Sequence, residues 1–205
     1  NFNSSLEESR ADLVALYYIS DPKLVAEGLT PSVDVGKAAY NNYIVNGMMR
    51  QLVRLDLGDQ VVQAHMRGRS MISNWCYEKG KAENVIEKVV KEGKTYIVIN
   101  DYNKLRTLIG KLLNEVQRIK SEGDFSAVKN IMETYGAPVN YDLHKEVLER
   151  YKKLDLAPYS GFIQPHMTAK MENSEIVDVT IEYPEDFAKQ MMFYAKNYSA
   201  LPVRN

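Results

Sequence analysis

The sequence predicts a mainly α-helical fold with small β elements, an α+β class, on three observations. Apolar residues recur at three- and four-residue spacing through most of the first two thirds. Helix start and stop residues punctuate those runs. Only two stretches, near 84–100 and near 161–183, change to the β-branched character of paired strands.

Taken in order, Ser4 or Ser5 is placed to cap a first helix over Leu6–Ile19, and Asp21 with Pro22 starts a short helix that stops at Gly28. A long helix is expected from Val33 to Leu55, carried by Ala38, Ala39, Ile44, Met48, Leu52 and Leu55. Asp59 then caps "QVVQAHMRGRSMISNWCYEKG", which ends near Gly80. The hairpin "NVIEKVVKEGKTYIVIND" turns at Glu92 and Gly93. Asp101 caps the next helix and Gly123 closes it; Phe125–Tyr135 and Tyr141–Leu154 follow, the latter capped by Asn140. "GFIQPHMTAKMEN" and "EIVDVTIEYP" form the second strand pair, and Pro184–Asn197 a closing helix. With no internal repeat or long linker, one domain over 1–205 is the economical reading.

Composition narrows the function. The chain has 205 residues, 45% apolar and 26% charged, as in an ordinary globular protein. Its 26 basic and 27 acidic residues give a net charge of -1, so neither nucleic acid nor an anionic membrane is an expected partner. No apolar run is long enough for a bilayer. Cys76, beside the single tryptophan Trp75, is the lone cysteine; it reads as a buried helical thiol and favours a reducing compartment, cytoplasmic by expectation. His144 reads as a surface helix residue.

The acids of the first helix pose the functional question. Glu7, Glu8 and Asp12 fall within two turns, and Glu8 and Asp12, four apart, project from one side. Ser4 with Glu7 and Ser5 with Glu8 each satisfy a capping box. Capping leaves Asp12 unexplained, as well as Ala11 and Ala15, small residues that let another element approach. Acids pressed against a neighbour need a cation or donors to offset desolvation. His65, His144 and His166 are far apart, so these residues do not form a complete two-histidine, one-glutamate zinc site.

The stretch "EESRAD", followed by "LVALYYISDPKLV", resembles the second signature of the dipeptidyl peptidase III family of zinc exopeptidases, E-E-C-R-A-D or E-E-C-R-A-E. "QAHM" with Arg69 resembles that family's substrate-binding helix, and "RIKSEGD" (118–124) and "GFIQP" (161–165) resemble stretches nearer its C-terminus. The resemblance implies the C-terminal part of a helical metallopeptidase catalytic domain, in a larger two-lobed enzyme that removes N-terminal dipeptides from short peptides. Two zinc-binding histidines and the water-activating glutamate would come from an H-E-x-x-G-H motif in the upstream remainder of the polypeptide, so the chain alone is expected to be inactive. It further implies that Glu8 ligates zinc, that Glu7 and Asp12 accept the ring N–H of the histidine ligands, that His65 donates to the substrate carbonyl, and that Arg69 binds the peptide backbone or carboxylate. Ser9 replaces the family's usual cysteine. After Q-P the family often has an arginine; here the run is His166, Met167, Thr168, Ala169 and Lys170, and neither His166 nor Lys170 is a clean match for it. The rival readings are a helical binding or scaffold module, and a homologue that has lost the metal.

Overall fold

The computed structural model describes residues 2–156, 165–184 and 186–198. It forms two compact units, Asn1–Leu154 and Asp155–Asn205. The mainly helical class with two small antiparallel strand pairs is observed. No described helix is long and apolar enough to cross a membrane.

In the first unit, α1 (Phe2–Ile19) packs against α4 (Ala64–Gly80) and α5 (Tyr102–Glu122), and α3 (Asp34–Met48) packs along α4. A short α2 (Pro22–Ala26) is capped by Asp21, whose side chain accepts from the Lys23 amide. The amphipathic α5 buries Leu105, Leu108, Ile109, Leu112, Val116 and Ile119, starts at an Asp101 cap and stops at Gly123 in the left-handed region. Strands β1 (Ile86–Lys91) and β2 (Lys94–Ile99) pair from Ile86↔Ile99 to Lys91↔Lys94. Glu92 and Gly93 both have positive φ, 52° and 69°, as a two-residue type I′ hairpin turn requires. Helix α6 (Phe125–Ile131) runs into a π-helical turn, Met132–Gly136, and α7 (Tyr141–Lys153) starts at its Asn140 cap.

The packing of α4 is set by glycines. A Cβ on Gly47 would lie 2.5 Å from the Arg69 carbonyl oxygen, and one on Gly68 would lie 2.8 Å from Ser9 Oγ. Both distances are shorter than real side chains tolerate, so α3 and α1 reach α4 only because these positions lack side chains.

Four expectations need correction. Helix α1 runs from Phe2, so Ser4 and Ser5 lie inside it and the capping boxes do not form; Phe2 instead packs on Phe125, with its ring beneath Arg67. Helix α3 ends at Met48, followed by a 3-10 turn, Arg50–Arg54. Helix α4 starts four residues after Gln60, at Ala64, with Gln63 rather than Asp59 accepting from the Met66 amide at 2.7 Å. The preceding segment is tied elsewhere, since Val61 is buried and its amide donates to Ala137. His144 is fully buried: its Nε2 lies 3.0 Å from the Leu52 carbonyl and 3.3 Å from that of Leu55. Two carbonyls only accept, so Nε2 carries the proton and fastens α7 to the 3-10 turn. Cys76 is buried on α4, where burial pushes its thiol up.

In the second unit, β3 (His166–Glu172) and β4 (Glu175–Glu182) form a hairpin through Asn173 and Ser174, both with positive φ. One face carries Met167, Ala169, Val179 and Ile181, and the other pairs Thr168 with Thr180 and Lys170 with Asp178. Helix α8 (Phe187–Tyr198) completes this unit, and Phe193 meets His166 edge to face at 4.4 Å.

Gly47→Ala is expected to destabilise the chain by about 1–3 kcal/mol in urea unfolding, the usual range for overpacking; an unchanged midpoint would mean that α3 and α4 are not in close contact. His144→Leu removes the donor shared by the Leu52 and Leu55 carbonyls and is expected to cost about 1–3 kcal/mol. The same titration checks it.

Candidate functional site

Ser9 and Gly68 set the site because they are the point of contact between α1 and α4. Ser9 is fully buried, and its hydroxyl donates back to the Ser5 carbonyl at 2.6 Å, leaving it compact against Gly68. One residue before Ser9 stands Glu8, and three before Gly68 stands His65. Their side chains therefore meet: His65 Nδ1 lies 3.3 Å from Glu8 Oε2. Both are open to solvent, the His65 side chain at 52% and that of Glu8 at 41%.

The other two acids of α1 have partners within the chain. Glu7 Oε1 accepts from Arg10 Nη2 at 2.5 Å and Nε at 3.2 Å, and its Oε2 lies 2.7 Å from Lys120 Nζ on α5. Hydrogen bonds from Arg10 and then Lys120 hold the Glu7 carboxyl down to about 2. Asp12 accepts from the Tyr43 hydroxyl of α3 at 2.7 Å. Burial pushes the Tyr43 phenol well up, the neighbouring Asp12 carboxylate adds to this, and Arg69 opposes it. Tyr43 thus stays protonated and fixes the Asp12 carboxylate as an acceptor.

Arg69 follows His65 by one turn of α4 and donates through Nη1 to Gln51 Oε1 at 3.2 Å. It has no ion pair among the described residues, in contrast to Arg10, Arg106, Arg118 and Arg150.

Of the residues the sequence singles out, Glu8 and His65 are thus brought together, with Arg69 a turn away and Asp12 a turn from Glu8 along α1. Glu7 points to Arg10 and Lys120. Ala11 and Ala15 are exposed, so the close approach they suggest is made instead by Ser9 and Gly68. His166 and Lys170 belong to the second unit, where Lys170 pairs with Glu172 at 3.2 Å. Of "GFIQP", Gly161 to Gln164 lie outside the described residues. Sequence reasoning misses Tyr43 and Gln51. The available signal was a polar residue, Gln51, one helical turn after Gly47 in the apolar stretch "MMRQLVRL".

Among the described residues no group of three or more histidine, cysteine, aspartate or glutamate side chains could hold a metal. Glu8 fits a single position of a zinc shell: it is a carboxylate, open to solvent, beside a histidine ring.

Comparison with known proteins gives one result. The family model for Peptidase family M49 matches residues 1–195. No curated protein sequence matches the chain.

The pairing of Glu7 makes a pH test. A folded value lowered to about 2 from the ordinary 4.5 stabilises the fold above about pH 4.5, and that contribution is lost as pH falls toward 2. The melting-temperature gap between wild type and Glu7→Gln is therefore expected to be widest near neutrality and to close between about pH 4.5 and 2. A gap independent of pH would mean that the Arg10 and Lys120 contacts contribute nothing.

Proposed function

Because the chain belongs to peptidase family M49, we propose that it is part of a zinc-dependent dipeptidyl peptidase, which releases dipeptides from the N-terminus of short peptides. The observation that carries this reading is the meeting of Glu8 and His65 across the α1–α4 contact at 3.3 Å, with Arg69 one turn beyond.

Glu8 would hold the zinc. When bound, the metal supplies Lewis-acid polarisation of water and of the scissile carbonyl. Its remaining protein ligands, and the glutamate that takes the proton from water, would be those of an H-E-x-x-G-H motif in the upstream remainder of the polypeptide. Alone, residues 1–205 supply one ligand and are expected to be inactive.

The other side chains act on the peptide or on the ligands. His65, exposed and adjacent to Glu8, donates to the substrate carbonyl oxygen as negative charge develops there. A carboxylate only accepts, so Glu8 takes the Nδ1 proton, and His65 donates to substrate through Nε2 as the imidazolium. Arg69, with its charge unneutralised, attracts a peptide carbonyl or carboxylate, acceptors that match the guanidinium fork. Asp12, held by Tyr43, keeps lone pairs free for the ring N–H of a histidine ligand, and Glu7 keeps one beyond those used by Arg10 and Lys120.

The test is zinc per chain, by elemental analysis after dialysis, on the longest product of the encoding gene. Wild type is expected to hold near-stoichiometric zinc and to release dipeptides, and Glu8→Ala to lose both. Asp12→Ala or Glu7→Ala is expected to weaken zinc retention about ten- to a hundred-fold. Absence of zinc from the wild-type protein would sink the reading and leave a helical binding module or a homologue without its metal.

A further inference from the structure

Gln51 is a buried polar residue with an unusually complete set of partners. Its Nε2 lies 2.7 Å from Ser70 Oγ, 3.0 Å from the Met66 carbonyl and 3.2 Å from the Gly47 carbonyl. Ser70 Oγ in turn donates to the Gly47 carbonyl at 3.3 Å, so toward Gln51 it acts as an acceptor. The two carbonyls can only accept. The three acceptors share the two protons of the amide NH2, and the amide cannot flip without setting its oxygen against carbonyl oxygens. This leaves Oε1 turned to Arg69 Nη1 at 3.2 Å.

Resting on the peptidase reading above, we infer that Gln51 is a positioning residue for substrate binding: its locked amide aims the Arg69 guanidinium toward the peptide while leaving the arginine's charge unspent. A carboxylate at the same place would neutralise that charge. A neutral oxygen fixes direction only, and it occupies one of five N–H donors, so the rest of the fork stays available to an acceptor. Gln51 also bonds the backbone of α4 at Met66, the residue after His65, so one side chain references both substrate-facing residues to the end of α3.

The experiment measures dipeptide release from a tetrapeptide by the zinc-loaded full-length enzyme, comparing Gln51→Met, Ser70→Ala, Arg69→Met and the Gln51→Met/Arg69→Met double variant. Gln51→Met is expected to raise KM about ten-fold and to keep kcat within about two-fold, since a ground-state contact is loosened. Ser70→Ala, which removes one of the groups that orient the amide, is expected to raise KM in the same direction by less, and it serves if Gln51→Met does not fold. The double variant is expected to match Arg69→Met alone. KM effects of Gln51→Met and Arg69→Met that multiply, or KM unchanged in both Gln51→Met and Ser70→Ala, would overturn the inference. Nitrogen-15 spectra of the arginine side chains provide a reading independent of activity: a resolved Arg69 Nη–H signal in wild type is expected to vanish in Gln51→Met, and its survival there also overturns the inference. A zinc-loaded wild type that releases no dipeptide overturns the peptidase reading, and the spectra then decide whether Gln51 holds Arg69.

Discussion

The close approach of α1 and α3 to α4, at positions with no room for a side chain, is the constraint on which the rest of the structure depends. At Gly68 the limit is the Ser9 hydroxyl, and at Gly47 it is the Ser73 side chain together with the backbone carbonyl of Arg69. Helices packed on larger residues sit about 8–10 Å apart, depending on the side chains between them. Glu8 and His65 flank the first of these contacts, and Gln51 and Arg69 the second. Packing therefore sets the electrostatics. The replacement of the family's cysteine by Ser9 fits this, since its hydroxyl turns back on the Ser5 carbonyl and stays clear of α4.

Three acids on one helix have been given three different situations. Glu7 is tied to two cations, and one of them, Lys120, belongs to α5, so the pair helps hold α1 where it lies. Asp12 has a neutral donor, Tyr43, which fixes its direction and leaves its charge intact. Among the described residues Glu8 has a histidine ring beside it. A carboxylate already neutralised by arginine is a poor metal ligand, and one without any support is poorly oriented. The arrangement keeps charge where a cation would use it and cancels charge where packing needs it.

Much of the fold was legible because its signals are local. Asp21, Asp101 and Asn140 cap as their positions before helical runs predict, and the Glu92-Gly93 turn follows from the backbone it needs. Glu8, His65 and Arg69 are singled out only by motif resemblance; the residues alone leave capping and ligation both open. What was not legible depends on contacts distant in sequence. His144 looks like a polar residue on an exposed face, yet it is buried, with its ring nitrogen against the Leu52 and Leu55 carbonyls, far away in sequence. The alanines of α1 suggested a neighbour, but small residues on an exposed face are common and carry no direction.

The misread end of α3 and the missed side chain are one event. The spacing of Met48, Leu52 and Leu55 argues for a helix that continues, and apolar spacing cannot register that the carbonyls of the last turn need partners when the chain tightens into a 3-10 turn. Gln51 supplies that partner for Gly47, and Ser70 of α4 shares the duty. Because the amide nitrogen is committed to closing the helix, its oxygen is committed to facing away from it, where Arg69 stands. A leucine at position 51 would suit the apolar run better, but it would leave the Gly47 carbonyl to Ser70 and remove the oxygen that Arg69 donates to. Local consistency is given up at the position where a long-range polar network is gained, which is where functional constraint is expected to override pattern.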